Sequence, residues 1–145
     1  MLIIRRVEPN DIFPVIALAF ETLPEPYNPS IFTQFYESYP EGFLVALNFD
    51  TIIGFLIGIK TTPNIARILM LAVKDAHRKK GIGSALLSRF LKEMKHQNIT
   101  GVELEVRTSN QGALKFYQNQ GFLLQGTLQQ FYQNGENAYS MRKEL

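Results

Sequence analysis

The chain has 145 residues, a formal net charge of +2, two histidines and no cysteine. This length suits one domain with a core of its own, and the lack of cysteine excludes disulfides, thiolate metal sites and a cysteine nucleophile. The histidines, His77 and His96, have no metal-ligand spacing, so we expect no metal site. The small net charge argues against a nucleic-acid partner.

The apolar stretches meet a charge or a turn residue well before the roughly 20 residues that a membrane span needs. At the N-terminus, the charges of MLIIRRVEP follow the apolar residues and no cleavage signal is present, which argues against a secretory peptide. We therefore expect no membrane partner and a cytoplasmic location.

The first half of the chain alternates strands and helices without a repeat or a linker. A strand comes first, then a helix that Asn10 can cap, a proline-rich loop, a short aromatic helix capped by Ser30, and a hairpin around Asn48–Asp50. The predicted bounds are Leu2–Val7, Asp11–Thr22, Leu23–Pro29, Ser30–Ser38, Gly42–Phe49 and Thr51–Lys60.

The second half continues the alternation and ends in another hairpin. A long helix follows a basic turn and ends near Asn98, and a turn at Gln133–Glu136 separates the last two strands. The other predicted elements are the strands Ile65–Val73, Gly101–Arg107, Phe122–Tyr132 and Ala138–Lys143 and the helix Asn110–Asn119. This order predicts a single α/β (α+β) domain over residues 1–145, with a mixed sheet flanked by helices.

The basic turn, Arg78–Gly83, is the most informative segment. It joins a strand to a helix, and Gly81 and Gly83 let the backbone turn tightly. The first N–H groups of a helix are free and its dipole is positive there, so cations are misplaced unless an anion binds. The turn therefore predicts a phosphate-bearing ligand; the alternative is a solvated basic turn that only caps the helix. It is neither a Walker loop nor a dinucleotide fingerprint, whose third glycine is Leu86 here.

Several features follow one another in a fixed order: a strand, Arg-x-x-Gly-x-Gly, a helix, Leu-Glu-Val-Arg-Thr-Ser-Asn, then Ala-x-x-Phe-Tyr-x-x-x-Gly-Phe. Over nearly the whole chain, this order closely resembles the Gcn5-related N-acetyltransferase (GNAT) superfamily. The resemblance implies a splayed, mostly antiparallel sheet and acetyl-CoA as the cofactor. The cofactor-binding residues that it implies are Leu71, Ala72, Val73, Arg78, Lys79, Lys80, Gly81, Ile82, Gly83, Ser84 and Asn110.

Within the superfamily, the chain looks most like the protein N-terminal acetyltransferases, including the RimI-like enzymes. The likeness lies in Leu23–Tyr27, Leu104–Asn110 and the segment from Gln130 to Ala138. It implies a protein or peptide N-terminus as the acceptor, bound by Leu23, Pro24, Glu25, Tyr27 and Tyr132. Several relatives carry a tyrosine pair in the last segment, where this chain has Phe131 before Tyr132.

Two residues are candidates for catalysis by direct attack of an amine on the thioester. Glu105 is the candidate base, acting through water, because an α-amine of pKa ~7.7–8.0 is already partly neutral at pH 7. The alternative for Glu105 is a solvated strand face shared with Glu103 and Arg107. Tyr117 is the candidate acid for the leaving thiolate, and the alternative is a core aromatic packed with Phe116.

Other roles remain open at this stage. Asn110 can also cap the helix that follows it, and the loop around Tyr27 can be a rigid surface loop. If Glu25 faces the site, a cationic or hydrogen-bond-donating first residue is favoured. Without cysteine, the chain cannot form an acetyl-cysteine intermediate, which favours a ternary complex. The alternatives to N-terminal acetylation are transfer to a small-molecule amine and a catalytically silent acyl-CoA-binding module, acting as a monomer or a homodimer.

Overall fold

The computed structural model describes the whole chain, Met1–Leu145. Seven strands form one sheet and four α-helices cover its two faces, with three short 3-10 turns between them. The strands are β1 (Leu2–Arg6), β2 (Phe43–Asn48), β3 (Thr51–Thr62), β4 (Ile65–Val73), β5 (Gly101–Arg107), β6 (Leu123–Leu128) and β7 (Ala138–Glu144). The helices are α1 (Ile12–Thr22), α2 (Ser30–Ser38), α3 (Ile82–His96) and α4 (Gln111–Asn119).

The strand order is β1-β2-β3-β4-β5-β7-β6, and every neighbouring pair is antiparallel except β4 and β5. That parallel pair is short, since only Ile65–Arg67 bonds to Gly101–Glu103. Past Arg67 the two strands no longer pair, which leaves a wedge at their carboxyl ends. The splayed mixed sheet expected from the sequence is confirmed.

Two apolar layers hold the helices against the sheet. One packs α3 and α4 on one face, and the other packs α1 and α2 on the opposite face. On β5, Val102, Leu104 and Val106 are buried while the alternate residues are half-buried, as period-2 alternation predicts. Helix α3 packs tightly on β3 at Gly58, where a Cβ would lie 2.5 Å from the Phe90 ring of α3. None of the helices combines the length and apolar character needed to cross a bilayer.

Two of the three predicted helix caps, Asn10 and Ser30, are wrong. Asn10 lies inside a 3-10 turn, Pro9–Asp11, and the Asp11 carboxylate accepts the Glu8 N–H at 2.7 Å. Ser30 is the first residue of α2, and its backbone N–H donates to Asn28 Oδ1 at 3.0 Å. In each case a neighbouring Asp or Asn side chain accepts a backbone N–H near the start of the helical segment. The sequence offers several such side chains within three residues.

The strand β6 ends at Leu128, four residues before the predicted end. Gln130 adopts a left-handed conformation with φ of 50°, and its N–H donates to Asn137 Oδ1 at 2.8 Å. The Gly135 N–H then donates to the Tyr132 carbonyl at 2.8 Å. Phe131 and Tyr132, which the sequence predicts to lie in a strand, are therefore in a loop. This loop reaches the candidate site.

Candidate active site

A groove of about 660 Å³, here called the outer groove, runs along the end of β4 and the beginnings of α3 and α4. Nearly all residues predicted to bind the cofactor line it, together with His77, Gly112 and Phe116. These predicted residues are Leu71, Ala72, Val73, Arg78, Lys79, Gly81, Ile82, Gly83, Ser84 and Asn110. Lys80 is the exception, since it is exposed and does not line the groove.

Free backbone amides stand at the α3 end of the outer groove. The first intrahelical bond runs from the Ala85 N–H to the Gly81 carbonyl at 3.0 Å, so the N–H groups of Ile82, Gly83 and Ser84 have no partner. No side chain caps this helix, and a Cβ on Gly81 would meet nothing within 4 Å. Open space in front of free amides at a helix start suits an anion.

The two glycines of the basic turn have different backbone conformations. Gly81 has φ of +80° and is needed for its left-handed conformation, and Lys79 is also left-handed with φ of 63°. Gly83 is already helical, so the expectation that both glycines make the turn is wrong. Of the cations, Arg78 is partly engaged, because its Nε lies 3.1 Å from the Asp75 carboxylate.

A second, smaller space of about 170 Å³, here called the inner cavity, lies in the wedge between β4 and β5. It brings together both candidate catalytic residues and all the predicted acceptor-binding residues. These are Glu105, Tyr117, Leu23, Pro24, Glu25, Tyr27 and Tyr132. Leu23, Pro24, Leu71, Asn110 and Ala113 line both spaces, so the inner cavity and the outer groove are continuous.

Asn110 stands at this junction and also caps α4. Its Oδ1 accepts the Ala113 N–H at 3.0 Å, and its backbone carbonyl accepts the Leu114 N–H. The capping role expected from the sequence is therefore present, and the side-chain amide group still lines both spaces.

Tyr117 lies on α4 with only 9% of its surface exposed, packed edge-on against Phe116 and Phe122. Its hydroxyl has no hydrogen bond within the chain, yet no fully buried polar side-chain atom lacks a partner. The hydroxyl must therefore open onto the inner cavity. Burial raises the pKa of Tyr117 well above its usual value, so the hydroxyl is a neutral donor. Phe116 lines the outer groove instead, because neighbours on a helix point about 100° apart.

Glu105 is part of the inner cavity wall rather than of a fully solvated face. Its side chain is 12% exposed, and its carboxylate forms an ion pair with Arg67 of β4. The same guanidinium reaches Glu103 at 3.0 Å. Glu105 thus lines the inner cavity and is held by a cation.

Arg107, for which the sequence predicts no role, connects the walls of the inner cavity. Its Nε donates to Glu25 of the α1–α2 loop at 2.7 Å, and its Nη1 donates to Glu136 of the β6–β7 loop at 2.9 Å. Its guanidinium also lies 4.0 Å from the centre of the Tyr132 ring. The alternation of β5 placed Arg107 on the cavity side, but no local signal pointed to partners 82 and 29 residues away.

These contacts set the electrostatics of the inner cavity. Arg107 forms ion pairs with both Glu25 and Glu136, so Glu25 is not a free carboxylate, although one cation is shared by two carboxylates. Hydrogen bonds from Ser109 and then from Arg107 lower the pKa of Glu136 to about 2. Burial, followed by the charge of Glu25, raises the pKa values of Tyr27 and Tyr132 to about 12 each, so both hydroxyls stay protonated.

On its other side, the inner cavity meets a groove of about 420 Å³ lined by charged and amide side chains and two prolines, here called the polar groove. Pro24, Glu25 and Arg107 line both spaces. Gln133 and Asn134 of the β6–β7 loop form the far wall of the polar groove. The inner cavity therefore lies between two openings. The structure contains no cluster of three or more His, Cys, Asp or Glu side chains that could hold a metal.

Residues 12–122 match the Acetyltransferase (GNAT) family, so the chain belongs to that family. It is an acetyltransferase, and its cofactor is acetyl-CoA. The free amides of α3, the open space at Gly81 and the cations Arg78 and Lys79 fit the diphosphate of this cofactor.

Individual relatives cover almost the full length. The N-alpha-acetyltransferase of Saccharolobus solfataricus is 31% identical over 98% of this chain and 92% of that protein. The crystal structure of Ard1 from Thermoplasma volcanium is 36% identical, with a TM-score of 0.95 over 99% of this chain and 97% of that chain. Arabidopsis thaliana Naa50, in complex with the bisubstrate analogue CoA-Ac-MVNAL, is 26% identical, with a TM-score of 0.86 over 99% of both chains.

Proposed function

We propose that the protein moves the acetyl group of acetyl-CoA to the N-terminal α-amine of a protein or peptide, by direct attack in a ternary complex. The observation that carries this proposal is the inner cavity, which opens to the outer groove on one side and to the polar groove on the other. The cofactor enters from the first side, and a peptide of any length enters from the second. The names of the relatives from Saccharolobus and Arabidopsis support the same acceptor.

In this proposal the outer groove binds and orients the cofactor. The N–H groups of Ile82, Gly83 and Ser84, with Arg78 and Lys79 beside them, hold the diphosphate. The end of β4, Leu71–Val73, is open on the wedge side and holds the pantetheine arm through its backbone. Bound acetyl-CoA supplies an activated thioester.

Two side chains move the protons. Glu105 accepts a proton, through water, from the acceptor ammonium, so that the neutral nitrogen forms the new C–N bond as the C–S bond breaks. The Tyr117 hydroxyl donates a proton to the departing thiolate, and the second proton of the attacking nitrogen passes through water to Tyr117 and restores it. Glu105 then releases its own proton to solvent. Both side chains line the inner cavity, one from β5 and one from α4.

The walls of the inner cavity support an apolar, uncharged first residue on the acceptor. Most of its lining residues are hydrophobic, Leu23, Met70 and Val106 among them, and Glu25 is engaged in an ion pair with Arg107. A volume of about 170 Å³ accommodates a long aliphatic side chain such as methionine. The analogue bound to the Arabidopsis relative begins with methionine, which agrees with this preference and differs from the cationic or hydrogen-bond-donating residue that the sequence favours if Glu25 faces the site.

The test is an acetylation assay with acetyl-CoA and peptides that differ only in their first residue. We expect release of coenzyme A and N-terminal acetylation, fastest with methionine or leucine first and slow with lysine or aspartate first. Peptides with a blocked N-terminus and one internal lysine are the matched control. Turnover with polyamines or amino sugars but with no peptide would overturn the proposal in favour of a small-molecule acetyltransferase. Binding of acetyl-CoA without turnover of any amine would favour a silent module.

A further inference from the structure

A row of alternating charges crosses three strands on the side of the sheet that faces the wedge. It begins at Glu105, which Arg67 pairs, and continues through Glu103 to Arg142 and Glu144. The Arg67–Glu103 distance is 3.0 Å, and Arg142 Nη1 lies 2.9 Å from the other oxygen of Glu103. Only one member of the row, Glu105, lines the inner cavity.

Arg67 occupies a special place in this row. It is the last residue of β4 that pairs with β5, opposite Glu103, and beyond it the strands part to form the inner cavity. Its guanidinium therefore crosses between the strands at the base of the wedge. From there it contacts a carboxylate that belongs to the cavity wall.

We propose that Arg67 is a positioning residue that holds the Glu105 carboxylate on the wall of the inner cavity, ready to receive the proton of the acceptor amine. This inference rests on the proposed function. Positioning matters because a general base works only within hydrogen-bond reach of its proton or of one bridging water. A glutamate side chain with no partner has several rotamers, most of which turn the carboxylate away from a given point.

No other cation in the structure can replace Arg67. Arg107, two residues along β5 from Glu105, has its guanidinium bound by Glu25 and Glu136. Arg142 contacts Glu103 and Glu144 but not Glu105. The neutral polar side chains that line the cavity, Asn110, Tyr27, Tyr117 and Tyr132, donate no hydrogen bond to Glu105, whose one side-chain donor is Arg67. The orientation of Glu105 therefore depends on one guanidinium.

The ion pair also agrees with the class of acceptor. An α-amine of pKa ~7.7–8.0 is already partly neutral at pH 7, so a single well-placed carboxylate acting through water suffices for an N-terminus.

The experiment compares Arg67→Gln with Arg142→Gln, which removes the next cation of the same row without touching Glu105. For Arg67→Gln we expect kcat with a methionine-first peptide to fall roughly tenfold to a hundredfold, part of the full contribution of a general base, while KM for acetyl-CoA is unchanged. Arg142→Gln should keep kcat within about twofold. Arg67→Lys restores a cation and should recover part of the loss.

A double variant separates positioning from a purely structural effect. If Arg67 acts through Glu105, adding Arg67→Gln to Glu105→Gln should lower kcat by less than about twofold, because residues that act as a unit are not additive. Equal effects of Arg67→Gln in both backgrounds would overturn the inference, as would equal losses in Arg67→Gln and Arg142→Gln. If Arg67→Gln does not fold, the same comparison is made with Arg67→Met, which also removes the cation, and a kcat equal to that of the parent would overturn it.

The two proposals can fail separately. If the unmodified protein acetylates no peptide, the proposed function fails. If it acetylates peptides normally and Arg67→Gln keeps its kcat, only the role of Arg67 fails.

Discussion

The outer groove and the inner cavity adjoin each other but are built in different ways. The outer groove owes its anion site to backbone amides within one short segment, from Gly81 to Ser84. The inner cavity is assembled from four separate parts of the chain and tied together by Arg107, across 82 residues to Glu25 and 29 residues to Glu136. In the proposed function, the contact with the diphosphate is therefore local in sequence, while acceptor binding depends on long-range ion pairs.

This difference predicts that a substitution in one of the two spaces affects the binding or turnover of one substrate and leaves the binding of the other unchanged. The largest effect should come from Tyr117→Phe. It removes the proposed acid from the inner cavity, so we expect kcat to fall by about 100-fold or more. Affinity for coenzyme A should be unchanged, because Tyr117 does not line the outer groove. Steady-state kinetics and calorimetry measure the two quantities.

Tyr36→Phe on α2 is the matched control for Tyr117→Phe, since Tyr36 lines neither space. It should keep kcat within about twofold. A loss of less than tenfold in Tyr117→Phe would show that another group protonates the thiolate.

The second-largest effect should come from Arg107→Met. This substitution removes the ion pairs to Glu25 and Glu136 in the two loops and leaves the outer groove unchanged. Hydrogen bonds to charged groups contribute about 1.5–3 kcal/mol, and 1.4 kcal/mol corresponds to tenfold in affinity. We therefore expect KM for the peptide to rise roughly tenfold to a hundredfold, with KM for acetyl-CoA unchanged.

Arg6→Met is the control for Arg107→Met, because Arg6 also pairs with a glutamate, Glu93, at 2.6 Å but far from the site. It should leave both KM values unchanged. An increase in KM for acetyl-CoA with none for the peptide would reverse the assignment of the two spaces.

Two glycines give a smaller but closely matched test. Gly81 and Gly135 both have positive φ, of 80° and 87°, and a Cβ on either meets nothing within 4 Å. Gly81→Val and Gly135→Val should therefore cost similar stability, about 1–3 kcal/mol from the strained backbone. Only Gly81→Val should weaken coenzyme A binding, by about tenfold, because its side chain enters the outer groove. Thermal melts and calorimetry check both, and equal loss of coenzyme A affinity would contradict the comparison.

The same division explains what the sequence could predict. All the strands and α-helices were found, since hydrophobic alternation and helical period are local. The caps at Asn10 and Ser30 were wrong because each helical segment starts earlier than predicted, and Asp11 and Asn28 accept the N–H groups of Glu8 and Ser30 there. The end of β6 was missed because Gln130 turns left-handed for a bond to Asn137, a contact that alternation does not encode.

For the site, the prediction was best where the residues are adjacent in sequence. The outer groove contains all but Lys80 of its predicted residues. For the inner cavity, the sequence predicts the candidate residues that line it but not the ion pairs that these residues form. The period of β5 places Glu105 and Arg107 on one face without naming a partner for either. Arg67 and Glu25, which are those partners, lie 38 and 82 residues away.

The smallest predicted effect is a pH dependence of the inner cavity wall. The pKa of Glu136 is lowered from its ordinary 4.5 to about 2 by Ser109 and Arg107. A carboxyl group with a lowered pKa stabilises the fold fully above its unfolded value, and this contribution is lost as the pH falls through its folded value. Glu136→Gln should therefore lower Tm slightly at pH 7 and have a vanishing effect as the pH falls from 4.5 to 2.

Thermal melts at pH 7, 4 and 2 measure this change, with Glu37→Gln as an exposed control that forms no ion pair. The effect is small because the pair is close to solvent, where ion pairs are worth little. A Tm difference that stays constant over this range would exclude the ionised contact as its cause.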